Sequence, residues 1–148
     1  QTPVPMPPPP PPPLSTAQER ERLLASARDV VQTVWSEPDP KKAKQITGDI
    51  VWSDAEQKGF MRFRNLPVND PNRETYQLWI FDENQSDKTP VDGGVFDAAA
   101  AMANGGEVVV AIDAKIKVKK PKMFAVTMEK PGGVVVSDRQ RLIAIAKI

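Results

Sequence analysis

From residue 46 to the C-terminus, apolar and polar residues alternate in short runs, and this period of two restricts the fold most. Seven runs are predicted as β-strands because they are rich in β-branched and aromatic residues and are bounded by turn residues: 46–53, 59–65, 75–82, 91–96, 107–113, 122–129 and 141–147. Short strands separated by frequent turns are typical of a β-sandwich. The predicted fold is therefore mainly β, an antiparallel β-sandwich of about seven strands over residues 46–148, preceded by one amphipathic α-helix.

Two of these runs, 75–82 and 122–129, are apolar at nearly every position. A strand that is buried on both faces lacks the alternation of a half-exposed strand. We therefore predict that these two strands are central in their sheet, and we expect Trp79 to be buried between the two sheets.

The N-terminal 14 residues differ in composition from the rest. Nine of the 16 prolines fall between Pro3 and Pro13. Because proline has a fixed φ and no amide hydrogen, this tract is predicted to be an extended spacer over residues 1–14, rising about 3.1 Å per residue. The alternative is a ligand for an aromatic groove of another protein.

A helix is predicted over residues 15–36. Thr16 and Glu19 have the spacing of a capping box, and the prolines at 38 and 40 end the segment. Apolar residues recur at helical spacing: Leu23, Leu24, Ala27, Val30, Val31, Val34 and Trp35. We expect this face to dock on the β domain; packing against a partner or a second copy is the alternative.

Composition narrows the function classes. The chain has no Cys and no His, which removes disulfides, thiol catalysis, the commonest general base and the commonest metal ligands. The net charge of +1 gives no reason to expect a nucleic acid partner. No apolar stretch has the roughly 20 residues that span a bilayer. We expect no enzyme activity, no cofactor and no metal.

Acidic residues near predicted strand ends are the best candidates for acid–base chemistry: Asp82, Glu83, Asp92 and Asp97. Carboxylates in turns usually cap backbone amides instead, and we favour that interpretation. The pairs Gly93-Gly94, Gly105-Gly106 and Gly132-Gly133 are interpreted as turns. Six aromatic residues are assigned to a sandwich core rather than a ligand cleft: Trp52, Tyr76, Trp79, Phe81, Phe96 and Phe124.

One local basic segment is present, with its lysines at Lys115, Lys117, Lys119, Lys120 and Lys122. The alternation of lysine with Ile116 and Val118 predicts a protected edge strand, because charged side chains discourage strand addition. Surface contact with anionic lipid or wall polymer is the alternative.

Three sequence blocks occur in a characteristic order: Tyr76-Gln77-Leu78-Trp79, Gly94-Val95-Phe96, and Val126-Thr127-Met128-Glu129 followed by Gly132-Gly133. Together with residues 48–53 and 65–67, this order resembles the C-terminal domain of the anti-sigma-K factor family over roughly residues 46–133. The motif residues are Tyr76, Leu78, Trp79, Gly94, Phe96, Val126, Thr127, Glu129, Gly132 and Gly133. The spacer and helix, an alanine-rich insertion at 98–103, and the lack of a proline after the paired glycine depart from the family pattern.

The resemblance implies the extracytoplasmic, periplasmic domain of a membrane-bound bacterial anti-sigma factor that regulates transcription. It further implies a sigma factor bound by a cytoplasmic domain outside this chain, tethering through an upstream transmembrane helix, and release of the sigma factor by regulated proteolysis. An extracytoplasmic protease or sensor protein would be the direct partner. A stand-alone cell-envelope β-sandwich for binding or adhesion is the alternative from another class.

Overall fold

The computed structural model describes residues 2–38, 46–83, 86, 88–102 and 106–148. Within these residues, one helix is followed by eight strands: α1 (Thr16–Ser26), β1 (Val31–Val34), β2 (Thr47–Ser53), β3 (Lys58–Arg64), β4 (Thr75–Phe81), β5 (Val91–Phe96), β6 (Val108–Ala111), β7 (Met123–Glu129) and β8 (Leu142–Lys147). All seven strands predicted from the sequence are present, and β1 is an eighth.

The strands form two antiparallel sheets that pack face to face. Sheet A has the order β1-β2-β3-β6, and sheet B has the order β5-β4-β7-β8. The predicted β-sandwich is therefore confirmed. The two continuously apolar runs are β4 and β7, which pair with each other in the centre of sheet B, as predicted.

Alternate residues of the strands face inward and form one large core. Sheet A contributes Ile50, Trp52, Met61 and Phe63, and sheet B contributes Tyr76, Leu78, Ile80, Phe124 and Val126. Three aromatic contacts run through this core: Phe63 stacks on Trp35 at 4.8 Å and on Phe96 at 5.8 Å, and Phe96 stacks on Tyr76 at 5.4 Å between ring centroids. The aromatic residues thus join the two sheets.

Helix α1 covers the outer face of sheet A. Its Leu23 packs with Val51 and Phe60 in a small second apolar cluster, which confirms the predicted docking on the β domain. Arg20 of α1 donates two hydrogen bonds to the Asp49 carboxylate, at 2.9 and 2.8 Å, and both side chains are buried. The helix is therefore fixed to sheet A by apolar contacts and by an ion pair in which one guanidinium nitrogen, Nη2, contacts both carboxylate oxygens of Asp49.

The ends of α1 differ from the prediction. Ser15, rather than Thr16, is the N-cap residue, and it forms a capping box with Gln18. The helix ends at Ser26, so the prediction of a helix through residue 36 is wrong for its second half. Ala27 is already extended (φ −85°, ψ 133°), and Val31–Val34 pairs with β2.

Two contacts explain this change from helix to strand. Asp29 accepts hydrogen bonds from the Ser53 hydroxyl at 2.6 Å and from the Ala55 amide at 2.8 Å, which fixes the chain beside the end of β2. Trp35 is buried in the main core, and its indole N–H points at the carbonyl oxygens of Asp49 and Arg62, at 3.1 and 3.2 Å. Hydrogen bonding to an existing sheet edge outweighs the helical spacing of the apolar residues.

Short backbone pairings join the two sheets along both sides. Ser36 and Ile145 exchange two hydrogen bonds of 2.7 and 3.0 Å between the end of the β1 region and β8. On the other side, the amides of Asp113 and Lys115 donate to the carbonyls of Gly93 and Asp92 on β5, at 2.9 and 3.0 Å. The sandwich remains unclosed, but its sides are partly sealed.

The glycine pairs do not all lie in turns. Gly93 and Gly94 lie within β5 rather than between strands, opposite a register irregularity in β4. A Cβ at Gly93 would lie 2.7 Å from the Leu78 side chain, so this site requires a residue without a side chain. The predicted turn at Gly105 lies outside the described residues, as do Ala103 and Asn104 of the same connection, whereas residues 98–101 form turns.

Residues 2–14 contain no helix or strand and are exposed, and their role as a spacer stays a prediction. Within the described residues, no helix is long and apolar enough to cross a membrane.

Candidate functional site

The outer face of sheet B is covered by an irregular segment that we call the strap, residues 130–141, which connects β7 to β8. It begins with a turn in which the Gly133 amide donates to the Lys130 carbonyl at 2.9 Å. It ends where the Met128 amide donates to the Arg141 carbonyl at 3.0 Å. The strap lies over the outward-facing residues of β4 and β7.

Gln77 of β4 fastens the first part of the strap. Its amide nitrogen donates to the Val134 carbonyl at 3.0 Å, and its amide oxygen accepts from the Val134 N–H at 2.9 Å. The buried side-chain amide of Gln77 thus satisfies both backbone groups of Val134, as the backbone of a neighbouring strand would in a sheet. Gly133 allows this close approach, since a Cβ there would lie 2.8 Å from the Gln77 amide oxygen and 2.6 Å from Val95 Cγ1.

A chain of four side chains fastens the second part of the strap. The Trp79 indole N–H donates to the Thr127 hydroxyl at 2.9 Å, and this hydroxyl donates to the Glu129 carboxylate at 2.6 Å. The same carboxylate oxygen accepts from the Ser137 hydroxyl at 2.5 Å. Glu129 therefore joins the sheet to the strap. Three members of this hydrogen-bonded chain, Trp79, Thr127 and Glu129, are residues of the predicted motif.

Apolar contacts lie beneath these polar groups. Trp79, Phe81 and Ala125 form a third buried cluster, against which Met123, Val134, Leu142 and Ile145 pack. The Arg139 guanidinium lies over the Phe81 ring, 5.0 Å from its centroid, in a cation–π arrangement. The strap therefore turns what would be a solvent-exposed sheet face into a second apolar layer.

This layer corrects the expected position of Trp79. The side chain is only 2% exposed, so the prediction of burial is confirmed. However, side chains alternate along a strand, and Tyr76, Leu78 and Ile80 are the β4 residues that face the main core. Trp79 and Phe81 therefore lie on the outer face of sheet B under the strap, and not between the sheets.

The other motif residues belong to the main core. The Tyr76 hydroxyl donates to the Pro67 carbonyl at 2.6 Å, and desolvation raises the pKa of Tyr76 to about 12. Leu78, Phe96 and Val126 are buried around it. Gly94 has a φ of +103° and lies against Asp113. The motif thus divides into two sets: one set forms the core, and the other holds the strap.

The lysine segment is not an edge strand, and that prediction is wrong. Residues 112–122 contain no strand, because Val118 is turned into the main core and its neighbours' amides bond to side chains. The Lys119 and Lys120 amides donate to the carboxylates of Asp82 and Asp54, at 2.9 and 2.8 Å. All five lysines, Lys115, Lys117, Lys119, Lys120 and Lys122, are exposed.

Acidic groups balance part of this basic charge. Lys119 and Lys120 lie 3.4 and 4.0 Å from the Glu83 carboxylate. Lys115 lies 2.5 Å from Asp113, and this hydrogen bond raises the pKa of Lys115. The segment is thus a basic surface of moderate net charge on a firmly held backbone.

The acidic candidates for catalysis serve the backbone and nearby polar groups. Asp82 accepts from the Lys119 amide, and Asp92 accepts from the Gly94 amide at 2.8 Å. Asp97 accepts from the Asn69 side chain at 2.8 Å and from the Thr75 hydroxyl at 3.1 Å. Within the described ranges, no group of three or more potential ligands is placed to hold a metal ion.

A cleft of about 750 Å³ lies between α1 and sheet A. Leu14, Leu23 and Phe60 give it an apolar floor, and charged residues including Arg22 and Lys58 line it as well. None of the four acidic candidates is among its described lining residues.

The strap was not predicted from the sequence. The available signal was the occurrence of Gln77 and Thr127 as polar residues within two otherwise apolar runs, directly opposite each other in the paired strands. A buried polar side chain needs a partner, and here the partners lie on the strap or beside it.

Fold and site together define a mainly β, sandwich-like module whose motif residues fasten a surface segment onto a sheet. The chain belongs to the anti-sigma-K factor family, since the family model described as "Anti-sigma-K factor rskA, C-terminal" matches residues 5–138. The match includes the proline-rich segment and α1, and so extends further than the resemblance over residues 46–133. Comparison with curated proteins and with solved structures found no match.

Proposed function

We propose that this chain is the extracytoplasmic sensing and anchoring domain of a membrane-bound bacterial anti-sigma factor. A sigma factor is the partner that the family implies. In this proposal, it is bound by a cytoplasmic domain outside this chain, and proteolysis on the extracytoplasmic side controls its release. An upstream helix tethers the domain to the membrane.

The observation that carries the proposal is the family match, which runs from the exposed spacer through α1 into the sandwich. An extended proline-rich segment holds a folded unit at a distance from its attachment point. Helix α1 then connects that spacer to sheet A through the Arg20–Asp49 ion pair. This arrangement suits a unit that reports its own folded or bound state to a tether.

The test uses the complete gene in cells that carry a reporter for the cognate sigma factor. Alkaline phosphatase fused after Ile148 should be active, because this enzyme matures only outside the cytoplasm. Deletion of residues 15–148 should make the reporter unresponsive to the inducing condition. An inactive phosphatase fusion together with an unchanged reporter response would overturn the proposal and favour another class of β-sandwich.

We further propose that the exposed lysines contact an anionic polymer or lipid headgroup. The support is a firmly held backbone that displays Lys115, Lys117, Lys119, Lys120 and Lys122 to solvent. A K117E/K122E variant should fold normally and lose salt-sensitive binding to phosphatidylglycerol vesicles. Equal vesicle binding by both proteins would contradict the proposal.

A further inference from the structure

The strap exposes consecutive aliphatic side chains between its two fastening points. Val135 is 91% exposed and Val136 is 57% exposed. Val134 on one side is held by Gln77, and Ser137 on the other side is held by Glu129. The middle of the strap is therefore an accessible span bounded by two clamps.

Three other strongly exposed apolar residues outside the helix and the strands are less suited to cleavage. Val4 and Met6 are each followed by proline, which resists most endopeptidases. Val68 is 62% exposed, but its neighbour Asn69 is buried and bonds to Glu74, Asp97 and Ala98. A protease needs several consecutive accessible residues, whereas Val68 is a single exposed aliphatic residue between Pro67 and the buried Asn69.

We propose that an endopeptidase with a pocket for a small aliphatic side chain cuts the strap within Val134–Ser137, and that the two clamps set the rate. This inference rests on the proposed function, because it supplies the regulated cut which that function requires. In the step itself, water adds across one peptide bond, for example Val135–Val136. The C–N bond breaks, the new carboxylate forms on Val135, and the new amino group forms on Val136.

Opening of the clamps must precede this step. To enter a protease cleft, the strap has to lose the Gln77–Val134 hydrogen bonds or the Glu129–Ser137 hydrogen bond. When opening and closing are fast compared with cleavage, the cleavage rate follows the population of the open form. Any partner that competes for Gln77 or Glu129 would therefore raise the rate.

The cut has a structural consequence that a cut in the spacer lacks. It would separate β8 from the rest of the chain, so that this strand is held by non-covalent contacts alone. Strand β8 contributes Ala144 and Ala146 to the main core and carries the Ser36–Ile145 pairing. Loss of the covalent connection removes the high effective concentration of β8, and its departure would open sheet B and uncover Trp79.

Limited proteolysis of the 148-residue chain with elastase tests the inference, with mass spectrometry following the C-terminal fragment that begins in the strap. We expect this fragment from the native chain, and we expect S137A to release it about tenfold faster, as the loss of a hydrogen bond to a carboxylate implies. S86A is the matched control, because both serine hydroxyls accept a hydrogen bond from the amide two residues further on, Arg139 for Ser137 at 3.0 Å and Lys88 for Ser86 at 3.1 Å. Only Ser137 also bonds to a carboxylate of the sheet. Its rate should equal that of the native chain.

A V135D/V136D variant should suppress the strap cut without changing the urea midpoint, since both side chains are exposed. Equal strap cleavage in S137A, S86A and the native chain would overturn the role of the clamp. No strap fragment before complete digestion of the sandwich would overturn the site itself. In both cases the phosphatase and reporter tests could still succeed, so failure of this inference is distinguishable from failure of the proposed function.

Discussion

Two adjacent glycines of the strap provide a matched measurement of how strongly it is held against sheet B. Gly132 and Gly133 both have a positive φ, of +83° and +80°. A Cβ at Gly132 would meet no atom within 4 Å, whereas a Cβ at Gly133 would lie 2.6 Å from Val95 and 2.8 Å from Gln77. Substitution by alanine therefore adds the strain of a positive φ at both sites but a steric clash at only one.

The expected magnitudes follow from these two terms. An L-residue in the left-handed region costs about 1 to 2 kcal/mol, which is the whole cost expected for G132A. Overpacking in a closely packed site costs about 1 to 3 kcal/mol more, so G133A should lose about 2 to 5 kcal/mol. Because a domain is stable by only about 5 to 15 kcal/mol, this difference is large enough to measure.

Urea unfolding followed by tryptophan fluorescence gives both free energies, because all three tryptophans are buried. The quantity of interest is the difference in unfolding free energy between the two variants, because both carry the strain of a positive φ and only G133A adds a steric clash. Equal destabilisation of G132A and G133A would show that the strap does not pack on Gln77 and Val95 in solution. The cover over Trp79 would then have to be abandoned.

Three further predictions follow from single contacts. Tyr76 is the only tyrosine, so its phenolate absorbance should titrate near 12 in the folded chain and near 10 in urea. The contribution of the buried, neutral Tyr76 to the free energy of unfolding should be fully present below pH 10 and should fall as pH rises towards 12. Coincident titrations of the folded and the unfolded chain would contradict the burial of Tyr76. W79A should lose about 3 to 5 kcal/mol of unfolding free energy in urea, and a loss below about 1 kcal/mol would exclude the buried outer layer. R20M should lose about 1 to 3 kcal/mol, less than for a wholly unpaired buried charge, because Gln32 and Arg62 still bond to Asp49 at 2.7 and 3.2 Å. R20M/D49L should recover most of this loss, and equal losses would mean that the ion pair is exposed in solution.

The strands of the sandwich were predictable because local sequence determines them. The continuously apolar runs of β4 and β7 indicated two buried faces, and both strands are central. The sequence did not indicate what buries the second face. That cover depends on the contact of Gln77 with Val134, which lie 57 positions apart, and no periodic pattern records such a contact.

The errors have a common physical origin in short segments that suit two structures. Val31, Val34 and Trp35 fit a helical face, but the free edge of β2 supplied hydrogen bonds for a strand. The alternation of Lys117 and Lys119 with Ile116 and Val118 fits an edge strand. There, burial of Val118 in the core and side-chain acceptors for the neighbouring amides determined the outcome.

The pairing of Ser36 with Ile145 also bears on how quickly this chain reaches its final form. These residues lie 109 positions apart. Sheet A is complete only when β6 pairs with β3, because its order is β1-β2-β3-β6. Structures dominated by such distant pairings fold slowly, on the order of milliseconds to seconds, because long loops must close before the contacts form. Because the chain is synthesised from its N-terminus, β1, β2 and β3 are available before β8 has been made. During that interval the apolar surfaces of Trp35 and Phe63 lack their partners in sheet B. The charged helix α1 can already cover the opposite face of sheet A, so it is the part of the final structure that can limit aggregation.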